Sequence, residues 1–462
     1  MVTRGLRWCV CLLSLAFVWS VPPAQAQSPS KLSLAHLAPE ECVFFATWNG
    51  PTVADSKSNN RTQRLFAEES VQDFFKQLGA EADRVSDRLF VQGQATPIGG
   101  KFMPLLVKTA LNHPGAIFVS RFTPADPPEL EAAIVLDAEA DGPQAIEALQ
   151  KLIAMMPKDG PNALVEEQIG DATFFRPKER LPRSPDFLAG FRGSQIIIAF
   201  GNKTAQTVVA QLTKPGKPPA WLTALTTELA VEKPAMLVHL NVQAILTVLQ
   251  PVITDPSATQ ILNALGVSKL KHWSSLCGLD KVGRQFNSVI VADGAPTGLF
   301  DLLPEKPLTI EAFRNVPANA ASAAVVRLDL ALLFDKFLKG IEQVDPNVRQ
   351  QLEAQLAALE PQLGFSLKSD LLEGFSDTWT LYIAGGDSGI ALIPPIVLTV
   401  SVRKPENLTK ALDVVVAAAR TVITQAGPQA PFSIHEFATQ GEKGSPVNVR
   451  FGQLRFWGLP DC

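Results

Sequence analysis

The chain is poor in the features that most partner classes require. It has no run of four or more Lys or Arg, and Lys+Arg number 41 against 45 Asp+Glu. A concentrated basic face is what nucleic acid and anionic lipid both need, so neither is an expected partner. Cysteine is scarce too. Of five, Cys9 and Cys11 fall in an N-terminal apolar run, leaving Cys42, Cys277 and Cys462. Three cysteines in so long a chain exclude a disulfide scaffold. An oxidising compartment would permit one disulfide and one spare thiol, and spacing leaves the pairing open. Cys42 opens the apolar strand Val43-Phe44-Phe45 and reads as a core cysteine. The longest apolar stretch beyond the N-terminus, Ile390 to Val400, is broken by Pro394-Pro395 and reads as sheet, so no transmembrane segment is expected after signal cleavage. The five histidines show no metal-ligand spacing. There is no Cys-x-x-Cys and no phosphate-cradling Gly-x-x-x-x-Gly-Lys. No catalytic, cofactor-binding or metal residue is therefore assigned, and no cofactor is called for.

The first 26 residues read as a signal peptide. Arg4 and Arg7 supply a positive start, and Trp8 to Ser20 are apolar but too short to cross a ~30 Å hydrocarbon core. Ala24-Gln25-Ala26 forms a small-x-small cleavage site. Removing the two arginines leaves 39 basic against 45 acidic side chains, a net charge near −6. The expected location is exported, periplasmic or extracellular. With 46% apolar residues the remainder is no disordered tail, and its length suits about two to four domains.

One pattern recurs: an apolar strand ending in a residue suited to cap a helix. Val43 to Asn49, Met236 to Asn241 and Ala324 to Asp329 all show it. After Asn241, apolar residues fall at Val242, Ile245, Leu246 and Leu249. After Asp329 they fall at Leu330, Leu333, Phe334 and Phe337, the same helical face. The first copy departs, with Pro51 and a polar loop following. Its helix comes later, carrying Val71, Phe74, Phe75 and Leu78, with Ser70 as N-cap and Gly79 as stop. Further strands are predicted at Gly115 to Phe122, Glu131 to Leu136, Gln195 to Phe200, Ser288 to Val291, Trp379 to Ala384 and Ile396 to Val402. Gly298 to Phe300 continues the middle copy beyond a turn at Asp293-Gly294. Helices are predicted at Pro143, Lys203 to Leu212 and Pro405.

The expected class is α+β, with repeated strand–helix modules forming antiparallel sheets and helices packed on them. A doubly wound parallel fold is the alternative, but helices are too few for the strands. The modules are placed at 27–213, 220–303 (short) and 308–462, with linkers at Lys214 to Pro219 and Leu303 to Pro307. The third lacks a counterpart to the closing strand and helix of the first, so it is expected to be incomplete. An edge strand with a partly uncovered apolar face is predicted within Val447 to Trp457, where Phe451, Phe456 and Trp457 lie.

The signal peptide, the Pro39-Glu40-Glu41-Cys42 entry, the Asp293-Gly294-Ala295-Pro296-Thr297-Gly298-Leu299 stretch and the repeats together resemble a family of uncharacterised exported proteins of planctomycete-type bacteria. The resemblance covers most of the chain after the signal. It implies export and a modular fold, and it carries no catalytic residue.

Several segments imitate catalytic motifs. Gly386-Asp387-Ser388-Gly389 resembles the nucleophile segment of chymotrypsin-like proteases, but Ile390 stands where a further glycine is needed. None of His36, His113, His239, His272 or His435 lies in that family's Ala-Ala-His-Cys context. A glycine-rich turn is the reading, with Ser388 kept only as the nucleophile of an alternative hydrolase. Asp137 to Gly142 imitates a calcium loop, but the twelfth position is Ala148, and Asp141 reads as a helix cap. Ser28 to Lys31 fits Ser-x-x-Lys too close to the cleavage site to sit in a pocket. Trp48 and Trp273 are read as core rather than as a ligand surface. The expected role is that of a non-catalytic envelope protein for binding or scaffolding. A carrier of an apolar ligand is the second class, with the protein or small-molecule partner unspecified.

Overall fold

The computed structural model describes residues 31–454 apart from 53, 78–79, 81–83, 85–108, 126–127, 155–159, 161–162, 180–184, 252, 254, 296, 303–307, 321, 384–395, 427–431 and 441–445. Residues 1–26, expected to be a signal peptide, the Ser388 motif, Phe456, Trp457 and Cys462 lie outside the described residues. The described chain forms two compact units, residues 1–254 with 268–294, and residues 255–267 with 295–462. All strand pairings are antiparallel, and the class is α+β.

The first unit holds β1 (Phe44–Trp48), α1 (Arg61–Ala67), β2 (Gly115–Thr123), β3 (Glu129–Asp137), α2 (Gly142–Ala154), β4 (Leu164–Ile169), β5 (Ala172–Pro177), β6 (Phe187–Arg192), β7 (Gln195–Phe200), α3 (Asn202–Thr213), α4 (Ala220–Leu229), β8 (Lys233–Leu240), α5 (Val242–Leu249), β9 (Leu270–Leu279) and β10 (Arg284–Ala292). Its strands make one ten-stranded sheet in the order β10-β9-β8-β1-β2-β3-β7-β6-β5-β4. The spans 27–213 and 220–303, set apart in the sequence, thus share a sheet. Strand edges carry backbone donors and acceptors that must be satisfied, and these two modules satisfy them on each other.

The junction between them has two-fold register. Ala46, three residues before Asn49, faces Val238, three residues before Asn241, and the flanking pairs run symmetrically from Phe44↔Leu240 to Trp48↔Met236. The closing hydrogen bonds match as well. Asn49 N–H donates to Ala235 O at 2.9 Å, and Asn241 N–H donates to Val43 O at 2.9 Å. The meanders β1-β2-β3 and β8-β9-β10 spread outward from this pair.

Both sheet faces are covered. On one, Leu32, Leu34 and Leu37 of the entry segment join Val208 and Leu212 of α3 and Leu222, Leu225 and Leu229 of α4 over Phe45, Val135, Ile197 and Leu237. On the other, Ala145 and Leu149 of α2 pack on Leu136 and Ile196, with Trp48 alongside. The consecutive Ile196 and Ile197 point to opposite faces, and both are buried, so β7 reads as an unbroken apolar run rather than an alternating one. Trp48 lies over Gly115, its cross-strand partner, where a Cβ would come within 2.2 Å of the indole. Its Nε1 donates to Ala110 O at 2.6 Å, so its role is core-facing.

The second unit contains α6 (Pro256–Ala264), β11 (Ser322–Arg327), α7 (Leu330–Val344), α8 (Pro346–Leu363), β12 (Phe375–Ile383), β13 (Ile396–Val402), α9 (Pro405–Ala426), β14 (Phe432–Gln440) and β15 (Pro446–Leu454). Strands β11, β12 and β13 form a three-stranded meander like those of the first unit, and β14 pairs with β15 in a hairpin. Among the described residues β15 has no neighbour besides β14. Gly298 to Phe300, expected to extend the sheet, instead begins a 3-10 turn at Gly298–Leu302. Gly298 has φ +61°, and a Cβ there would come within 2.4 Å of the Ala264 carbonyl, a close approach that a strand residue could not make.

Both predicted caps form. Asn241 Oδ1 accepts from Ala244 N–H at 2.9 Å, and Asp329 Oδ1 accepts from Leu332 N–H at 3.1 Å. Replacing Asp329 by Ala leaves an N–H of α7 unpaired and should cost ~1 kcal/mol, read as a lower urea midpoint. Asn49 departs from the pattern because no helix follows it. Its Oδ1 accepts from Ser33 N–H at 2.9 Å, and its Nδ2 donates to the Lys31 and Pro234 carbonyls, tying the entry segment to β8. Ser70 is no cap either. It sits inside the helical turns, and Gln72 N–H donates to Glu68 O at 3.0 Å, one turn back. Asp141 does not act as a cap in the way the sequence suggested; its carboxylate lies 2.9 Å from His113 Nε2.

Candidate functional site

Where the entry segment, α4 and the end of β8 meet, the first unit has an open cleft of about 300 Å3 lined by Glu40, Glu41, Cys42, Val43, Ser120, Trp221, His239, Asn241 and Ala244. Each wall has a local cause. Ser120 is an extra residue where the β2–β3 register shifts between Val119 and Arg121, and its hydroxyl donates to Glu131 O at 3.1 Å. Trp221 is held in the first turn of α4 by its Nε1 donating to Pro39 O at 3.0 Å. Asn241 ends β8 because its side chain is committed to capping α5.

Behind the cleft wall lies a buried polar cluster. His239 on β8 is paired across the strands with Ser274 on β9, and Nδ1 stands 2.8 Å from Ser274 Oγ. His272, two residues before Ser274, places its own Nδ1 3.3 Å from the same oxygen. One hydroxyl can donate to one ring and accept from the other, so Ser274 can serve both histidines when they carry opposite tautomers. An aromatic stack backs the cluster. Phe45 meets Trp221 edge-on at 6.0 Å, Trp221 lies 4.5 Å from the His239 ring, and His239 lies 5.2 Å from His272.

Burial sets the electrostatics. It pulls His239 down to about 4, with the neighbouring His272 adding to the effect. His272 is also lowered by burial, with Glu228 opposing and Lys271 assisting. At neutral pH both rings are uncharged, as a dry pair of histidines requires. Burial likewise pushes the Cys42 thiol up to about 12, so it remains a thiol. Cys42 and Cys277 are both free, and Cys42 is a core residue as expected.

Chemically, the cleft offers two exposed carboxylates, Glu40 and Glu41, an indole and a neutral imidazole. Three nucleophiles adjoin it, two serines and a cysteine, and each is disarmed. Ser274 is 0% exposed, Ser120 is bonded to a carbonyl, and Cys42 is protonated. No set of three or more His, Cys, Asp or Glu stands together as a metal site among the described residues. No described helix is long and apolar enough to cross a membrane.

Of the histidines considered in the sequence, the fold brings His239 and His272 together and sets His113 against Asp141. The Ser274 cluster was not foreseen, since its members are 35 residues apart and only the β8–β9 register joins them. One signal was available: Ser274 and Ser275 interrupt an apolar strand at two successive positions, so both faces of β9 carry a buried hydroxyl. No family model matches the chain, and no match is found among curated proteins or solved structures.

Proposed function

We propose that this is an exported envelope protein that binds a small polar ligand at the Glu40–Trp221–His239 cleft, with no catalytic step. Export is supported by Arg4, Arg7, the apolar run and the Ala24-Gln25-Ala26 site, and by the resemblance to exported planctomycete-type proteins. The observation that carries the binding reading is the pairing of an open cleft, lined by two carboxylates among mixed polar and apolar groups, with nucleophiles that are buried, hydrogen-bonded or protonated. Two carboxylates at the mouth favour a ligand with amine or hydroxyl donors, and an indole and imidazole supply flat surfaces beside them. The two exposed carboxylates and the open cleft suit a polar ligand better than the apolar one a carrier would enclose.

The test is ligand titration of the full secreted chain with small amines and polyols, read by thermal shift and tryptophan emission. A binder should raise the Tm, and Glu40→Gln with Glu41→Gln should weaken it about tenfold or more, as expected for lost charge-assisted hydrogen bonds. Labelling by a serine-directed fluorophosphonate that disappears in Ser388→Ala would overturn the non-catalytic reading in favour of a hydrolase.

A further inference from the structure

We infer that the mature chain pairs with a second copy of itself through β11, edge to edge and antiparallel, by the same junction that joins β1 to β8. Three strands of this protein, β1, β8 and β11, stand first in a three-stranded meander and end in Asn49, Asn241 or Asp329. Two of them satisfy each other, in a register symmetric about Ala46 and Val238. The third pairs with β12 on one side only, and no strand flanks its other side among the described residues.

Hydrogen-bond parity shows that the free edge is the equivalent one. In β1 and β8 the N–H groups of the terminal Asn49 and Asn241 point across the junction. In β11 the residue before Asp329, Leu328, donates to Asp377 O of β12, so Asp329, Arg327, Val325 and Ala323 turn their backbone groups outward. Exposure agrees. Ala46 is buried and Val238 half-buried, whereas their counterpart Val326 is 53% exposed, and Ser322, Ala323 and Ala324 are exposed beside it. What covers the first two strands is a strand of their own kind, and among the described residues β11 has no such cover.

A second β11 supplies it with closed two-fold symmetry. Val326 would face Val326 of the partner copy, Val325 would face Arg327, and the Asp329 N–H would reach the Ala323 carbonyl. Such an isologous contact ends at two chains, unlike the open-ended pairing that a bare edge invites. Charge permits it, since each Arg327 has its own Asp377 carboxylate at 4.0 Å. The contact is one short strand, so association should be weak, on the order of micromolar.

Sedimentation velocity of the full secreted chain across that concentration range tests the idea, together with two substitutions. Val325→Pro removes an outward N–H while leaving the β11–β12 hydrogen bonds intact, and should shift the dimer to monomer. In the event that this variant misfolds, Val326→Cys gives a separate readout. At a non-hydrogen-bonded pair on the two-fold axis the two thiols are close enough to bond. Mild oxidation should then give a reducible dimer several-fold above the unsubstituted chain and above Ala324→Cys. A chain that stays monomeric with no crosslinking above background overturns the proposal. So does a dimer that persists in folded Val325→Pro, or crosslinking equal at Ala324→Cys. None of these outcomes depends on ligand binding at the cleft.

Discussion

Phe45→Ala is expected to destabilise the first unit by about 3–5 kcal/mol, the range for emptying a fully buried aromatic site. Phe45 is 0% exposed, sits on the strand that joins the two halves of the ten-stranded sheet, and faces His239 across the junction. Its ring is the edge partner of Trp221 at 6.0 Å and 84°, an arrangement that contributes about 0.5–1.5 kcal/mol beyond area burial. Loss of the ring removes transfer free energy, leaves a cavity between α4 and the sheet, and frees the indole that forms one wall of the cleft. Phe45→Leu should recover much of the loss. Phe286→Ala is the contrast. That side chain is 59% exposed on the outermost strand β10, and its removal should cost within about 0.5 kcal/mol. Urea midpoints of the three variants provide the comparison. Equal costs for Phe45→Ala and Phe286→Ala would mean that β1 is not at the centre of the sheet.

Acid should unfold the same region through His239. In the folded chain burial holds this imidazole down to about 4, against 6.5 for the free side chain. As pH falls below 6.5 the unfolded chain takes up the proton first, so protonation favours unfolding. The stability contribution is therefore whole above pH 6.5 and is lost as pH falls toward about 4. Over that full window the loss is about 3 kcal/mol, and about 2 kcal/mol of it should have gone by pH 5. His272, lowered by burial as well, acts in the same direction. Asp171 and Asp280, held low chiefly by the Arg192 side chain and by backbone N–H groups of Gly283 and Val282, lose their contributions only at still lower pH. Denaturation between pH 7 and 5 thus isolates the histidines. His239→Gln, which keeps a polar group opposite Ser274, should flatten the profile over this range. Identical slopes for the two proteins, or an NMR titration of His239 near 6.5, would remove the buried neutral histidine from the account.

Local signals in the sequence were enough to determine the class, many of the strands and both helix caps. Consecutive apolar residues mark β2, β3 and β7, and β13 ends in an apolar alternation through Leu398, Val400 and Val402. The Asn241 and Asp329 caps were legible because a capping oxygen reaches only a few residues along its own chain. Proline at Pro143 and Pro405 marked helix starts for an equally local reason, its fixed φ. Ser70 and Asp141 were misjudged within that same range, because Ser, Asp and Glu compete for a cap and a carboxylate also answers to a distant histidine.

What only the tertiary structure decided is which strand edges meet. The sequence predicts three like modules, and nothing in a module's own residues says that the strands of the first two share a sheet while those of the third do not. Register across β1 and β8 joins residues nearly two hundred positions apart, and register together with the packing of α4 turns Phe45, Trp221, His239 and Ser274 into one cluster. The backbone groups on a strand edge are the same for every sequence, so the choice of neighbour rests on the side chains that long-range packing buries.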